Sequence, residues 1–172
     1  KVSLVKSPAI QSFVRGAGFY GKNLEEALRQ IPGLEITDVD AQIVHYLYFD
    51  PFFLTLPPIR KQKTVVTVFD LIPLVLPGLY PPGLRGKIKW EIQKNILKTV
   101  DHIITISRSA RDDIIKIVGI PEEKITVIYL AADPIFKPIK TKKENFVLYV
   151  GGVNWNKNVI SLVKACQKIK NC

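Results

Sequence analysis

Three glycines near the amino end of the chain have the spacing of a phosphate-binding motif. Gly16, Gly18 and Gly21 fit the pattern G-x-G-x-x-G within the stretch VRGAGFYGKNL, residues 14–24. Because glycine has no Cβ, its backbone N–H group can approach a phosphate closely at the amino end of a helix. The spacing therefore predicts a nucleotide phosphate site, with an NAD-type dinucleotide as one candidate ligand. A flexible loop that binds no ligand is the alternative.

The NAD interpretation makes two demands on the neighbouring sequence. A dinucleotide fingerprint follows its strand directly, whereas the residues KSPAIQSFVR separate Val5 from Gly16. An acidic residue that would hold the ribose follows at a suitable distance, either Asp38 or Asp40, and it would have to end the second strand. The gap weakens the interpretation, and an NAD-dependent oxidoreductase domain stays an open alternative.

The elements that must position these glycines alternate between β and α patterns. The β-branched runs are KVSLV, LEITDV, AQIVHYLYF, TVVTVF, HIITIS and ITVIYL, and the helical patterns cover Tyr20–Gln30, Leu84–Lys98 and Arg108–Val118. This alternation predicts an α/β fold, a Rossmann-like open parallel sheet with helices on both faces. For the last helix, Ser107 or Ser109 is the expected N-cap and Gly119 the expected end. The proline-rich segments 51–58 and 73–82 are expected to form loops at strand ends, where such sheets bind ligands.

The alternation restarts after a basic linker. The segment DPIFKPIKTKKEN is followed by a strand-like run FVLYV, the loop GGVNWNKN and a helical pattern. We therefore expect an N-terminal Rossmann-like domain over residues 1–138. Residues 139–172 would form a linker and the first strand, loop and helix of a second, truncated domain.

Composition limits the functions that the chain can have. It has 172 residues and a net charge of +10, which favours anionic partners such as phosphorylated small molecules, acidic lipids or nucleic acid. No run approaches the roughly 18 apolar residues that a membrane span requires. Cys166 and Cys172 belong to no metal-binding motif, so we expect reduced cysteines, a cytoplasmic protein and no metal site.

Several motifs occur in an order typical of one enzyme family. They are TVVTVFDLIPLVLP, VDHIITISRSARDDIIK, EKITVIYLAADPIFKP and FVLYVGGVNWNKNVISLVKAC. Together they resemble the nucleotide-sugar-dependent glycosyltransferases of the group 1 family (family 4), which have the two-domain GT-B fold. The resemblance covers nearly the whole chain and implies the acceptor-side N-terminal domain followed by the first elements of the donor-binding C-terminal domain. Gly16, Gly18 and Tyr20 match the family's G-x-G-x-Y loop, which lies beside the donor phosphates and the acceptor.

The resemblance also implies roles for residues at two further motifs. In VFDLIP, Phe69 replaces the histidine of many members, and Asp70 retains the aspartate at the donor sugar, so Asp70 is the catalytic candidate. Its alternative role is to cap the following loop. In VGGVNWNKN, Lys157 matches a lysine that holds the donor diphosphate, and Asn156 stands where arginine is usual, which weakens the local positive charge. An ordinary solvated lysine is the alternative for Lys157.

The activity implied is retaining, metal-independent sugar transfer without a cofactor. The donor would be a UDP- or GDP-sugar, and the acceptor a saccharide or lipid-linked saccharide in polysaccharide or glycolipid biosynthesis. The family's two glutamates would lie beyond Cys172, so we expect the isolated chain to be inactive. A basic nucleic-acid-binding α/β module is a further alternative, although the lysines are spread along the chain and we expect no nucleic-acid partner.

Two smaller features complete the predictions. Arg85, Lys87, Lys89 and Trp90 near the start of a helix suggest peripheral contact with an anionic membrane, at the inner face of the cytoplasmic membrane. The alternative is a solvated helix face with Trp90 packed inward.

Both histidines, His45 and His102, lie in strand-like runs, and we expect them to be structural.

Overall fold

The computed structural model describes residues 1–7, 16–133, 135–140, 142 and 144–169. Val14, Arg15 and Cys172, which entered the predictions above, lie outside the described residues. The chain forms two compact units, Lys1–Leu130 and Ala131–Cys172, and their boundary precedes the predicted one at residue 138. The assignment of the second unit to a donor-binding domain stays a prediction.

The first unit is built on a five-stranded parallel sheet, as predicted. Its strands are β1 (Val2–Val5), β2 (Ile43–Tyr46), β3 (Lys63–Val68), β4 (His102–Thr105) and β5 (Ile125–Val127), in that spatial order. The helices are α1 (Gly16–Arg29), α2 (Ile72–Val75), α3 (Gly83–Lys98) and α4 (Arg108–Val118), followed by α5 (Val159–Cys166) in the second unit. No helix within the described ranges is long and apolar enough to cross a bilayer.

Helices cover both faces of the sheet. Successive strand residues point to opposite faces, so each face has its own side chains for a helix to pack against. The side chain of Val66 on β3 joins Leu97 of α3 and Ile114 of α4 in the buried core. Its neighbour Thr67 points to the other face, where Tyr20 of α1 contacts it with 3.0 Å between the two hydroxyl oxygens. α1 therefore lies on one face, and α3 and α4 lie on the other.

The prediction of a strand at LEITDV, residues 34–39, is wrong. Only Ile36 bridges to Val2, in parallel orientation. Gly33 at φ +80° and Asp40 at φ +54° turn the backbone at the two ends of the segment, and only its middle runs beside β1. The bridge nevertheless places this segment on one side of β1, while β2 lies on the other side.

The helix signals near residue 107 are confirmed by the structure. α4 covers Arg108–Val118, and the Ser107 hydroxyl accepts a hydrogen bond from the Ala110 N–H at 3.1 Å, so the cap is Ser107 and not Ser109. Gly119 ends the helix with φ +79°, a left-handed conformation that glycine adopts at little cost. The prediction for the first helix was late, since α1 begins at Gly16 and not at Tyr20.

In the second unit the predicted strand FVLYV, residues 146–150, has no strand conformation assigned. A strand is stabilised by backbone hydrogen bonds to a neighbour, and the described part of this unit contains no strand that could pair with it. The helix that was predicted to follow is present as α5, preceded by a 3₁₀ turn at Trp155–Lys157. Local helical bonds do not need a distant partner, which explains the difference.

Candidate functional site

The topology of the first unit indicates where a ligand would bind. In open α/β sheets the binding crevice lies beyond the carboxyl ends of the strands, where the strand order reverses direction. β1 is that reversal point, because Ile36 bridges to one side of it and β2 pairs with the other. At this edge the chain passes from β2 into residues 47–50 and from β3 into Phe69 and Asp70.

Three aromatic side chains meet at this edge. The rings of Tyr20 and Phe69 pack edge to face with centroids 5.2 Å apart, and the rings of Tyr48 and Phe69 are 6.1 Å apart. All three side chains are half-buried. Phe69, at the position where the resemblance implies a histidine, thus packs between α1 and the segment after β2, and its side chain offers no hydrogen bond.

A chain of hydrogen bonds runs from α1 into the sheet. Thr67 contacts the Tyr20 hydroxyl at 3.0 Å and the His45 Nε2 atom at 2.8 Å. Burial lowers the pKa of His45 to about 4, so its imidazole is neutral at physiological pH. Burial also raises the pKa of the Tyr20 hydroxyl, and the hydrogen bond with Thr67 opposes that rise. These contacts fix the first turns of α1 over β2 and β3, and they confirm a structural role for His45.

The second histidine also has a structural contact. The Nε2 atom of His102 on β4 lies 2.7 Å from the Thr126 hydroxyl on β5. This contact joins the last two strands of the sheet, in agreement with the structural role expected for His102.

Two carboxylates lie at the same edge. Asp70 is exposed, and its Oδ1 atom accepts a hydrogen bond from the Ile72 N–H at 3.0 Å, so it does cap the following loop. Asp50 is half-buried and accepts from the Phe52 N–H at 2.8 Å. Burial raises the pKa of Asp50, and the charge of Asp70 raises it further, while the Phe52 N–H and Lys89 act in the opposite direction. The sequence analysis missed Asp50, although its position before a proline at a strand end is a turn signal.

A buried amide holds the loop that carries Asp50. Gln93 on α3 is fully buried, and its Oε1 atom accepts from the backbone N–H groups of Thr55 and Leu56 at 3.0 and 2.8 Å, and from the Thr55 hydroxyl at 3.0 Å. Its Nε2 atom donates to the Leu56 carbonyl at 3.0 Å. Lys89 on the same helix lies over the Phe53 ring, 5.3 Å from the centroid. α3 thereby fixes the shape of the loop after β2.

The glycines of the predicted loop lie within α1 and not in a loop. Gly16 is the first residue of the helix and is exposed, whereas Gly18 and Gly21 are buried. A Cβ added at Gly16 would meet no atom of the described residues within 4 Å, so no close backbone contact among those residues explains this glycine. The first N–H groups of any helix have no partner within the helix, and those of α1 begin at Gly16. The helical placement also differs from a dinucleotide fingerprint, whose glycines form the strand-to-helix turn.

The acidic residues of the NAD interpretation have other surroundings. The Ser3 hydroxyl donates to Asp38 Oδ1 at 3.2 Å, and Asp40 occupies a turn with positive φ. Neither residue ends a strand. The observed geometry therefore gives the NAD interpretation no support.

Ionic contacts connect the end of β1 to α1. The Lys6 ammonium lies 2.6 Å from Glu25, and Arg29 lies 2.7 Å from the same carboxylate. The hydrogen bond from Lys6, followed by that from Arg29, lowers the pKa of Glu25. These contacts fix α1 to the residue that follows β1, at the carboxyl edge of the sheet.

The predicted phosphate-contacting residue of the second unit is exposed. Lys157 ends the 3₁₀ turn and is followed by Asn158, which has φ +48° and precedes α5. The Oδ1 atom of Asn156 is buried and has no hydrogen-bond partner among the described residues. An exposed Lys157 fits both a contact to a diphosphate and an ordinary surface lysine. In the described part of the chain, no cluster of three or more His, Cys, Asp or Glu residues could hold a metal ion.

Comparison with known proteins identifies the family. The model of Glycosyltransferase Family 4 matches residues 6–135. The O-antigen chain mannosyltransferase RfbU of Salmonella typhimurium is 32% identical over 111 residues, which are 64% of this chain and 30% of that protein. The O-antigen chain mannosyltransferase B of Escherichia coli is 23% identical over 137 residues, 71% of this chain and 34% of that protein. The matched region is about a third of the length of each of these relatives.

The family match begins directly after β1 and includes α1 and every residue of the carboxyl edge described above. It agrees with the parallel sheet and with the order of the sequence motifs. The chain belongs to Glycosyltransferase Family 4.

Proposed function

We propose that this chain supplies the acceptor-side domain of a retaining glycosyltransferase that transfers mannose from a nucleotide-linked donor. The acceptor is a saccharide or lipid-linked saccharide in polysaccharide or glycolipid synthesis. The family match over residues 6–135 supports sugar transfer, and the names of two relatives, both O-antigen chain mannosyltransferases, support mannose and a polysaccharide product. In this proposal the enzyme transfers the sugar without a metal or cofactor, at the cytoplasmic side of the membrane.

The observation that carries the proposal is the group of polar and aromatic side chains at the carboxyl edge. Asp50 and Asp70 interact electrostatically there, and the rings of Tyr20, Tyr48 and Phe69 lie beside them. Carboxylates accept hydrogen bonds from sugar hydroxyls, and aromatic rings pack against the apolar faces of sugars. This combination suits a saccharide better than a dinucleotide.

The leaving group of the reaction is a nucleoside diphosphate, which gains negative charge as the glycosidic bond to it breaks. The first N–H groups of α1, from Gly16 onwards, have no acceptor within the helix itself, and such groups can stabilise an anion. Preorganised donors of this kind lower the barrier because they need no rearrangement when the charge develops.

Asp70 has the central role among the side chains of this chain. Its Oδ1 atom is engaged by the Ile72 N–H, which fixes the carboxylate at the end of β3. In the proposal this fixed, exposed carboxylate accepts a hydroxyl of the donor sugar. Phe69 does not replace the hydrogen-bonding role of the family's histidine, and it serves to hold Tyr20 and Tyr48 in place.

The test compares the full-length protein with the 172-residue chain, using GDP-mannose within a panel of GDP- and UDP-sugars and a saccharide acceptor. We expect transfer by the full-length protein with GDP-mannose preferred, and none by the 172-residue chain. The Asp70→Asn variant should lose about a hundredfold in kcat, the size expected for one preorganised contact. Asp40→Asn is the matched control, because Asp40 is exposed and precedes β2 at the opposite edge of the sheet. No turnover of any donor by the full-length protein would refute the proposal.

A further inference from the structure

Helix α3 is apolar on two sides, and the core accounts for only one of them. Gly86, Gln93, Ile96 and Leu97 are buried and face the sheet side. On the remaining surface Leu84, Ile88 and Ile92 are 77%, 54% and 45% exposed. These three residues are spaced four apart, so they form a continuous apolar stripe along one side of the helix. Three exposed aliphatic side chains in a row indicate a partner surface rather than scattered surface residues.

The segment before α3 extends this apolar surface. Val75, Leu76 and Leu79 are also exposed. Pro77, Pro81 and Pro82 line one shallow groove together with Leu84 and Lys87, so this segment lies against the start of the stripe. We call the combination of residues 75–82 with Leu84, Ile88 and Ile92 the α3 apolar surface.

The aromatic residue singled out in the sequence is not part of this surface. Trp90 is half-buried and packs against the hydrophobic core, and the Lys94 ammonium lies 5.8 Å from the centroid of its ring. Trp90 therefore follows the inward-packed alternative considered in the sequence analysis. The exposed apolar side chains of α3 are therefore those of the aliphatic stripe.

The charges around the stripe are mainly positive. Arg85 and Lys87 are exposed beside Leu84 and Ile88, and Lys98 is exposed at the carboxyl end of the helix. Glu91 is the acidic residue of α3 on this side. Within the described residues, neither Arg85 nor Lys87 takes part in an ion pair, so both charges are available to a partner. An apolar stripe flanked by unpaired cations complements a surface that is itself apolar with an anionic rim.

We propose that the α3 apolar surface docks on a bilayer containing anionic lipid, with α3 lying in the plane of the interface. Leu84, Ile88 and Ile92 enter the boundary between headgroups and acyl chains, while Arg85 and Lys87 contact the lipid phosphates. The net charge of +10 strengthens the attraction to such a surface. This interaction does not depend on the proposed transferase activity, and its test needs no substrate.

The experiment is co-sedimentation of the 172-residue chain with vesicles of phosphatidylglycerol and phosphatidylcholine, and with vesicles of phosphatidylcholine alone. We expect binding to the anionic vesicles that weakens as salt is added. The double variant Leu84→Gln, Ile88→Gln should bind at least about tenfold more weakly, because two exposed aliphatic groups no longer enter the interface. The variant Arg85→Gln, Lys87→Gln should lose about fivefold per charge at low salt.

The matched control is Ile59→Gln, which makes the same change at an isoleucine that is 82% exposed and also adjoins basic residues, Arg60 and Lys61. It lies outside the α3 apolar surface and should leave vesicle binding unchanged. Far-UV circular dichroism verifies that each variant is folded, which we expect since all the altered side chains are exposed. Three results would overturn the proposal: no binding of the parent chain to anionic vesicles, binding that persists in the Leu84→Gln, Ile88→Gln variant, or an equal loss in Ile59→Gln. If the parent chain does not bind vesicles but forms a dimer that this double variant abolishes, the surface is assigned to a second copy instead.

Discussion

Replacing His45 with glutamine should remove a large part of the acid sensitivity of folding. The imidazole is 6% exposed and contacts only the Thr67 hydroxyl among the hydrogen bonds described for it. Burial lowers its pKa from 6.5 to about 4 in the folded state. Between pH 6.5 and pH 4, His45 in the unfolded chain, where its pKa is 6.5, therefore binds a proton that buried His45 does not bind.

The sign and size of the effect follow from this difference in pKa. Because the folded value lies below the unfolded value, the stabilising contribution is complete above pH 6.5 and is lost as the pH falls from 6.5 towards 4. The whole window corresponds to about 3 kcal/mol, and the part between pH 7 and pH 5 to about 2 kcal/mol. Glutamine retains an amide that can bond to Thr67, but it does not titrate, so this contribution disappears in the variant.

Urea unfolding followed by far-UV circular dichroism at pH 7, 6 and 5 measures the free energy of unfolding for both proteins. The parent should lose about 2 kcal/mol more than His45→Gln across this range. Other titrating groups are common to both proteins and cancel in the difference. His102→Gln is the control, since it removes a histidine whose contact with Thr126 is exposed. Parallel stability curves for the parent and His45→Gln would refute the reasoning.

Two further substitutions test the packing and the helix signals. Gln93→Leu should lower the free energy of unfolding by about 3 kcal/mol, since it leaves the buried N–H and carbonyl groups of Thr55 and Leu56 without a partner. Asn95 is an exposed amide on the same helix, and Asn95→Leu should change the free energy of unfolding by less than about 0.5 kcal/mol in the same denaturation assay. Ser107→Ala should lose about 1 kcal/mol of stability because the N-cap is removed. Ser109→Ala should lose none, and equal losses for both serines would contradict the cap assignment.

Much of the fold was predictable because its signals are local. The alternation of β-branched runs with helical patterns predicted the parallel sheet; four of the five strands lie within the predicted runs, and β3 begins one residue before its run. Ser107 and Gly119 determined the ends of α4, since a cap side chain and a left-handed glycine act within a few residues. The order of the motifs indicated the family, and the match over residues 6–135 confirmed it.

The predicted strands that the structure does not show are ones whose formation depends on a neighbour. LEITDV has the composition of a strand, yet it forms a single bridge with Val2. FVLYV has the same kind of composition and has no strand conformation assigned in the second unit. Composition measures how well residues fit a pleated surface, but pairing decides whether the ladder forms.

The sequence by itself determined the fold class, the ends of α4 and the family, because these depend on residue types and on short spacings. Only the tertiary structure decided which side chains meet at the carboxyl edge. Tyr20 and Thr67 are 47 residues apart, and Gln93 lies 37 residues from Leu56. Such contacts carry no local signal, since they arise when the sheet brings distant strand ends together and α1 and α3 pack on its two faces. For the same reason, only the tertiary structure decides which apolar side of α3 packs into the core and which side is exposed.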